Sequence, residues 1–223
     1  MVGSGERFWT WGEDVAVLGR IVARGGVLVI PTESSYALAA DPRRRDSMDA
    51  VFRIKRRAPD QPLPVVVSGV EMFPDLGIEP LTGGSLGGLE RGWPGALSIL
   101  LPCGPDLPAA AGSGYLAVRV PGHPGLVTLL AELGISLTAT SANRSGDAPI
   151  LDPKAAVELV GEEDAMIVDD GLLPGGLPST LVRPGHAGAS ILRHGRVTMQ
   201  ELAGLAPQWF SAGLVENPVE ESR

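Results

Sequence analysis

Apolar residues in this chain fall into two kinds of stretch, short continuous runs and runs spaced at helical period. Val27 to Ile30 is a continuous run closed by Pro31, the pattern of a strand buried on both faces. Ahead of it, Val15, Leu18, Ile21 and Val22 fall on one helical face, so a helix is predicted from a cap at Asp14 to Arg24, stopped by Gly25 and Gly26. After Pro31 comes a polar loop. Met48, Val51, Phe52 and Ile54 then mark a second helix, capped by Asp46 or Ser47. Leu63 to Val67 reads as a strand in which Pro64 takes the start or an edge. Further strands are predicted at Leu97–Leu101, Leu116–Val120, Leu137–Thr140, Met166–Val168, Ser179–Val182 and Ile191–His194. A helix should run from Pro124 or Gly125 to Gly134. Another opens with Pro153 behind an Asp152 cap, and a short one follows Thr198. Residues 74–95, rich in Gly and Pro, show no clear period. Beyond Pro207 the chain looks loosely held, with Trp209 and Phe210 as its apolar anchors.

Strands and helices mix without strict alternation. The pattern therefore predicts an α/β fold on a mixed sheet with helices packed against it, in place of a doubly wound one. One catalytic-size domain, 13–206, is expected between an N-terminal extension, 1–12, and a C-terminal tail, 207–223. Neither a Gly-x-Gly-x-x-Gly turn nor a Gly-x-x-x-x-Gly-Lys-Ser/Thr loop is present, so any phosphate must be held by side chains and scattered amides.

Charge narrows the functional classes. The net charge of −8 argues against a protein that grips nucleic acid mainly through phosphates. Yet seven of the 18 basic residues crowd into 43–57, which is either a local anion site or a solvated helix face. Cys103 is the single cysteine, excluding an internal disulfide and a cysteine metal cluster, and is expected to be an inert thiol. His123, His186 and His194 lack metal-ligand spacing, so no metal site is expected. No apolar stretch approaches the roughly 20 residues that span a bilayer, and no signal peptide is evident, so a cytoplasmic location is expected.

Polar residues follow directly on apolar runs at several places, where α/β proteins build sites. The first is Thr32-Glu33-Ser34-Ser35-Tyr36 after the first buried strand, which is otherwise a capping turn. The second is Lys55-Arg56-Arg57-Ala58-Pro59. Pro59 keeps Ala58 out of helical geometry, so Lys55 and Arg57 would leave the helix end on one extended face. An ammonium and a guanidinium suit a polyphosphate, although a helix C-terminus also favours cations by itself. Only two lysines occur, Lys55 and Lys154, which singles out Lys55. The third is Arg119, on the opposite face of its strand from Val118 and Val120, where it needs a ligand or a structural ion pair. The fourth is Ser141-Ala142-Asn143, with a Ser145-Gly146 turn behind it. Ser179-Thr180 and Arg193-His194-Gly195 repeat the pattern. Glu33 reads either as a general base or as a cap or loop residue.

These segments resemble, in order, the YrdC-like family of threonylcarbamoyl-AMP synthases. They are PTESSYALAAD from Pro31, IKRRAPDQPLPV from Ile54, WPGALSILLP from Trp93, LAVRVPGHP from Leu116, TSANRSGDAP from Thr140, PSTLV from Pro178 and ILRHGRV from Ile191. The resemblance spans about residues 13–203. It implies an open, twisted mixed sheet with flanking helices around a concave, positively lined cavity. It also implies a reaction in which L-threonine, bicarbonate and ATP, with Mg²⁺, give threonylcarbamoyl-AMP and pyrophosphate. A downstream threonylcarbamoyl-transfer system then modifies tRNA, to which the chain itself would make a weak contact at most. Carried over, Lys55 and Arg57 fall at the ATP phosphates and would be the catalytic pair. Gln61 and Arg193 fall at the nucleotide, and Ser141 and Asn143 at the nucleotide and the threonylcarbamoyl group. Ser34, Arg119 and Ser179 fall at threonine, with Arg119 on its carboxylate. The chain departs from the family at Tyr36-Ala37 (usually Tyr-Gly or Phe-Gly), at Ala58 before Pro59, at Pro94-Gly95-Ala96 (usually Pro-Gly-Pro), and at Val66, where longer relatives carry a histidine. Two rivals stay open: another carbamoyl-transfer enzyme on the same scaffold, and a non-catalytic RNA-binding module using the 43–57 cluster.

Overall fold

A computed structural model describes residues 7–79, 86–185 and 188–210. In chain order its elements are β1 (Phe8–Thr10), α1 (Ala16–Ala23), β2 (Val27–Pro31), β3 (Tyr36–Ala39), α2 (Arg45–Lys55), β4 (Val65–Val66), β5 (Leu97–Pro102), β6 (Tyr115–Arg119), α3 (Pro124–Leu133), β7 (Leu137–Thr138), β8 (Thr140–Ser141), α4 (Ala155–Val160), β9 (Ala165–Asp169), β10 (Thr180–Gly185), β11 (Gly188–Arg193), α5 (Met199–Leu205) and α6 (Pro207–Phe210).

The mixed α/β class is as expected, but the strands divide into two mixed sheets where one was predicted. One has the order β1-β9-β2-β3-β8, the other β11-β10-β5-β6-β4-β7. The expected strand at 137–140 is the reason. Its first half, β7, pairs antiparallel with β4 in the second sheet, and its continuation, β8, pairs antiparallel with β3 in the first. Between them, Thr138 N–H donates to Ala40 O and Ala139 N–H to Pro64 O, both at 2.8 Å, so this one stretch is stitched to both sheets.

The continuous run at β2 is buried along its whole length. Val27 and Val29 face one apolar cluster with Met48, Val51 and Ile54 of α2. Leu28 and Ile30 face the other with Leu18, Ile21 and Val22 of α1 and Leu126, Leu129 and Leu130 of α3. Alternate side chains thus meet opposite helical layers, as a two-faced core strand requires. The segment after Pro31 is not loop alone. Tyr36–Ala39 returns antiparallel to β2 as a hairpin, a strand hidden by alanine's weak β preference. The predicted strand at 63–67 shortens to two ladder residues, because Pro64 has no N–H to give; Leu63 N–H instead meets Ala109 O. Residues 8–10, within the stretch read as an N-terminal extension, form the edge strand beside β9 with Trp9 buried.

Most helix ends follow local chemistry, shifted by a residue or two from the sequence reading; α2 instead starts at Arg45 behind an extended Arg44, with no side-chain cap from Asp46 or Ser47. Asp14 Oδ1 accepts Ala16 N–H (2.9 Å), and Asp152 Oδ1 accepts Lys154 N–H (2.9 Å). His123 Nδ1 accepts Leu126 N–H (3.1 Å) ahead of Pro124, and α3 ends at left-handed Gly134. Thr198 and Glu201 close a reciprocal capping box on α5. In and just before the stretch without clear period, 3-10 turns at Val70–Leu76 and Leu89–Gly92 deliver Phe73, Leu76 and Leu89 to the core. Trp209 and Phe210 pack against the main core, while 211–223 and His186 lie outside the described residues.

Candidate active site

Strands of both sheets and the loops between them wall a cavity of about 780 Å³. Ser34, Lys55, Arg57, Arg119, Ser141, Asn143, Ser179 and Arg193 all line it. Gln61 stands beside the wall, exposed, and its Oε1 accepts a hydrogen bond from Arg57 Nη2.

Lys55 is the last residue of α2 and only 3% exposed. Its ammonium donates to Ser141 O (2.6 Å), Asn143 Oδ1 (2.7 Å) and, at 3.4 Å, Asn143 O. Ser141 Oγ donates to the same Asn143 Oδ1 (2.8 Å), and Asn143 Nδ2 donates to Asp147 O (2.6 Å). The cation is thus held by neutral oxygens. Desolvation, followed by repulsion from the Arg57 charge, pulls its pKa down to about 8.

The predicted sharing of one face by Lys55 and Arg57 is realised differently. Arg56 adopts the left-handed conformation (φ 51°) and reverses the helix end, in place of an extended run toward Pro59. The loop after β8 caps this end. Ser145 N–H donates to Lys55 O (2.9 Å), and Arg144 Nη1 donates to Ile54 O. The second and fourth predicted loci therefore form one junction, with Arg144 as a tie that its position gave no reason to single out.

β6 alternates as predicted. Leu116 and Val118 are fully buried in the core, while Ala117 and Arg119 face the cavity. Arg119 has both a cavity face and an ion pair, since its Nη1 donates to Glu33 Oε1. Glu33 Oε2 accepts Gly122 N–H (3.3 Å). Burial by itself would raise the Glu33 pKa. The Arg119 charge, with backbone N–H groups of Glu33 and Gly122, outweighs that and holds the carboxyl below its ordinary range.

Thr32 organises the hairpin loop that carries Glu33 and Ser34. Its hydroxyl donates to Ser35 O (2.7 Å) and accepts the N–H groups of Ser34 and Ser35, both at 3.3 Å. Tyr36 Oη donates to Gly171 O (2.8 Å) and accepts Asp170 N–H (3.1 Å), docking the 170–178 loop on the hairpin. Burial pushes this phenol up to about 12, so it stays a neutral donor.

Across the cavity, Arg193 holds Ser179 with three hydrogen bonds. Nε and Nη2 donate to its carbonyl at 3.1 and 3.0 Å, and Nη2 to its hydroxyl at 2.9 Å. Desolvation and then the like charge of Arg119 lower the Arg193 pKa. Buried Ser98, which the sequence left unremarked, sits 2.8 Å from the Ser179 hydroxyl.

The basic cluster at 43–57 disperses in space. Arg43 pairs with Asp41, Arg44 with Asp46 and Arg53 with Glu163, while Lys55 and Arg57 turn to the cavity. Four cations and one carboxylate, Glu33, thus line the cavity among the described residues. Cys103 is half-buried away from this wall, with burial raising its thiol. Among the described residues no cluster of His, Cys, Asp and Glu could hold a metal ion, and no helix is long and apolar enough to cross a membrane.

Fold and site together define a mixed α/β protein with a cavity lined, among the described residues, by four cations. The Sua5/YciO/YrdC family model, described as "Telomere recombination", matches residues 20–195, and the chain belongs to that family. It is 32% identical over 207 residues to the threonylcarbamoyl-AMP synthase of Bacillus subtilis (strain 168), covering 90% of this chain and 59% of that one. It is 34% identical over 174 residues to the enzyme of that name from Alkalilimnicola ehrlichii, covering 75% of this chain and 88% of the relative. The fold superposes on P. abyssi Sua5 complexed with L-threonine with a TM-score of 0.79 at 22% identity, over 95% of this chain and 65% of that one. E. coli YciO gives 0.69 at 21% identity, over 84% and 95%.

Proposed function

We propose that this chain is a threonylcarbamoyl-AMP synthase. It converts L-threonine, bicarbonate and ATP to threonylcarbamoyl-AMP and pyrophosphate in the cytoplasm. A separate transfer system then places the threonylcarbamoyl group on tRNA. The observation that carries the reading is the meeting, in one cavity, of the Lys55–Ser141–Asn143 cluster with Arg57 on one side and Arg119, Ser179 and Ser34 on the other. Relatives of similar length bear that enzyme name.

In this reading Lys55 and Arg57 neutralise the triphosphate, one as a point charge and the other as a fork. Arg193 and Gln61 flank the nucleotide, and Ser141 and Asn143 hold the nucleotide and the threonylcarbamoyl group. Arg119 takes the threonine carboxylate, with Ser34 and Ser179 beside it. Threonine's amine and bicarbonate combine to a carbamate with loss of water. A carbamate oxygen then bonds to the α-phosphorus of ATP as the bond to pyrophosphate breaks. No protein nucleophile is required; positioning and charge neutralisation do the work. The donor set is cationic and amide-rich, which fits Mg²⁺ arriving as part of the nucleotide substrate and not a resident metal.

The test is ATP-to-pyrophosphate turnover with L-threonine and bicarbonate, each omitted in turn. Turnover requiring both, with a new adenylate on chromatography, is expected. Turnover without threonine, or with carbamoyl phosphate as the preferred donor, would move the chain to another carbamoyl-transfer activity on this scaffold.

A further inference from the structure

We infer that Glu33 is a further specificity-determining residue: with Arg119 it forms a two-pole site for an amino-acid zwitterion, Arg119 taking the carboxylate and Glu33 the ammonium. The inference rests on the proposed use of threonine. Lys55, Arg57 and Arg193 make the rest of the wall attractive to any anion, so another lone arginine would not distinguish an amino acid from bicarbonate or a stray phosphate oxygen. The Arg119 corner differs by its carboxylate. Taken together, Arg119 and Glu33 carry no net charge. A simple anion gains at one pole what it loses at the other, whereas a zwitterion gains at both.

The geometry suits this role. The two side chains are only 12% and 14% exposed, so water competes little for either charge. Beyond the influence of its own backbone N–H, Glu33 accepts Arg119 Nη1 on Oε1 and Gly122 N–H on Oε2, which leaves at least one of the roughly four lone-pair directions of the carboxylate for a ligand. The carboxylate is thereby fixed from two sides, and the hairpin loop that carries it is ordered by Thr32. Ser34, the next residue, lines the same cavity. Three groups in one corner thus face carboxylate, ammonium and side chain. Because the Arg119 charge helps hold the Glu33 pKa below its ordinary range, the carboxylate is a weak base, and its part is to hold and orient the amino group.

The test is equilibrium binding of L-threonine, its deaminated analogue 3-hydroxybutanoate, and L-threoninamide, each to wild type and to Glu33→Gln. Wild type is expected to prefer L-threonine over the deaminated acid by on the order of 10- to 100-fold, the weight of a charge-assisted contact. In Glu33→Gln that preference should collapse toward unity, while the amide stays rejected by both proteins. A wild type that binds the deaminated acid as tightly as threonine overturns the inference without any variant, so the test survives a variant that fails to fold. An unchanged preference in a folded Glu33→Gln overturns it as well. Failure of wild type to bind threonine at all would instead remove the underlying reading, and the inference with it.

Discussion

At the scale of single residues, Lys55 is a buried cation on the cavity wall. Its ammonium is buried among carbonyl oxygens, and its pKa of about 8 lies below the ordinary lysine value of 10.5. Below about pH 8 the fold bears the full cost of that buried charge. The cost fades between about 8 and 10.5, where the buried amine has lost its proton and the unfolded chain keeps its own. A bound triphosphate should raise this pKa again. Nucleotide binding at pH 8.5 is therefore expected to take up protons, measurable by calorimetry in buffers of different ionisation enthalpy; release of protons would contradict it. Lys55→Ala and Arg57→Ala should each slow adenylate synthesis on the order of 10²-fold or more, as loss of a preorganised charge contact does. Near-wild-type rates in both would remove the phosphate assignment. Arg119→Ala should raise the threonine KM far more than the ATP KM, and an unchanged threonine KM would count against its role. Much of this was legible in the sequence, because a charge beside a buried run must face something. Arg119 opposite Val118 is the clear case. Its partner was not legible: Glu33 lies 86 residues away, and nothing in either local pattern encodes that distance.

Elements were legible where local chemistry alone decides them. The Thr198 start of α5, the Pro124–Gly134 boundaries and the two-faced β2 could be read because caps and burial leave a short-range signature. The hairpin return at Tyr36–Ala39 escaped because its alanines acquire strand character only from β2 and β8 on either side. The α2 end escaped for the same reason, since its left-handed Arg56 is supported by a loop almost ninety residues on, at Arg144 and Ser145. Gly195, after β11, illustrates the coupling between elements. A methyl group there would come within 2.5 Å of the Ser179 carbonyl carbon and 2.6 Å of its oxygen, backbone atoms that cannot swing aside. Gly195→Ala is expected to destabilise the protein by about 1–3 kcal/mol. It should also raise the threonine KM by displacing Ser179. Thermal unfolding and kinetics on the same sample would check both, and a normal melting temperature with normal KM would refute the packing argument.

Over the whole molecule, charge separates inside from outside. The chain carries −8 overall, yet the cavity wall holds four cations and one carboxylate among the described residues. Three of the six arginines that look like an RNA-binding patch in the sequence, Arg43, Arg44 and Arg53, are paired with carboxylates in space, and Arg57 turns to the cavity. The isolated chain is therefore expected to bind tRNA no more than weakly at physiological salt, which fluorescence anisotropy across a salt series would check. Tight, steeply salt-dependent binding would revive the nucleic-acid reading. The two-sheet division was not legible, because a change of sheet within five consecutive residues leaves the apolar period unbroken. That stretch, 137–141, has a consequence for traffic through the cavity. Since one strand is laced into both sheets, the walls cannot swing apart like the covers of a book without tearing one ladder. In the proposed reaction, substrates and the bulkier adenylate would then pass an aperture whose frame keeps its gauge, with the loops at its rim setting the opening, as a valve and not as a hinge.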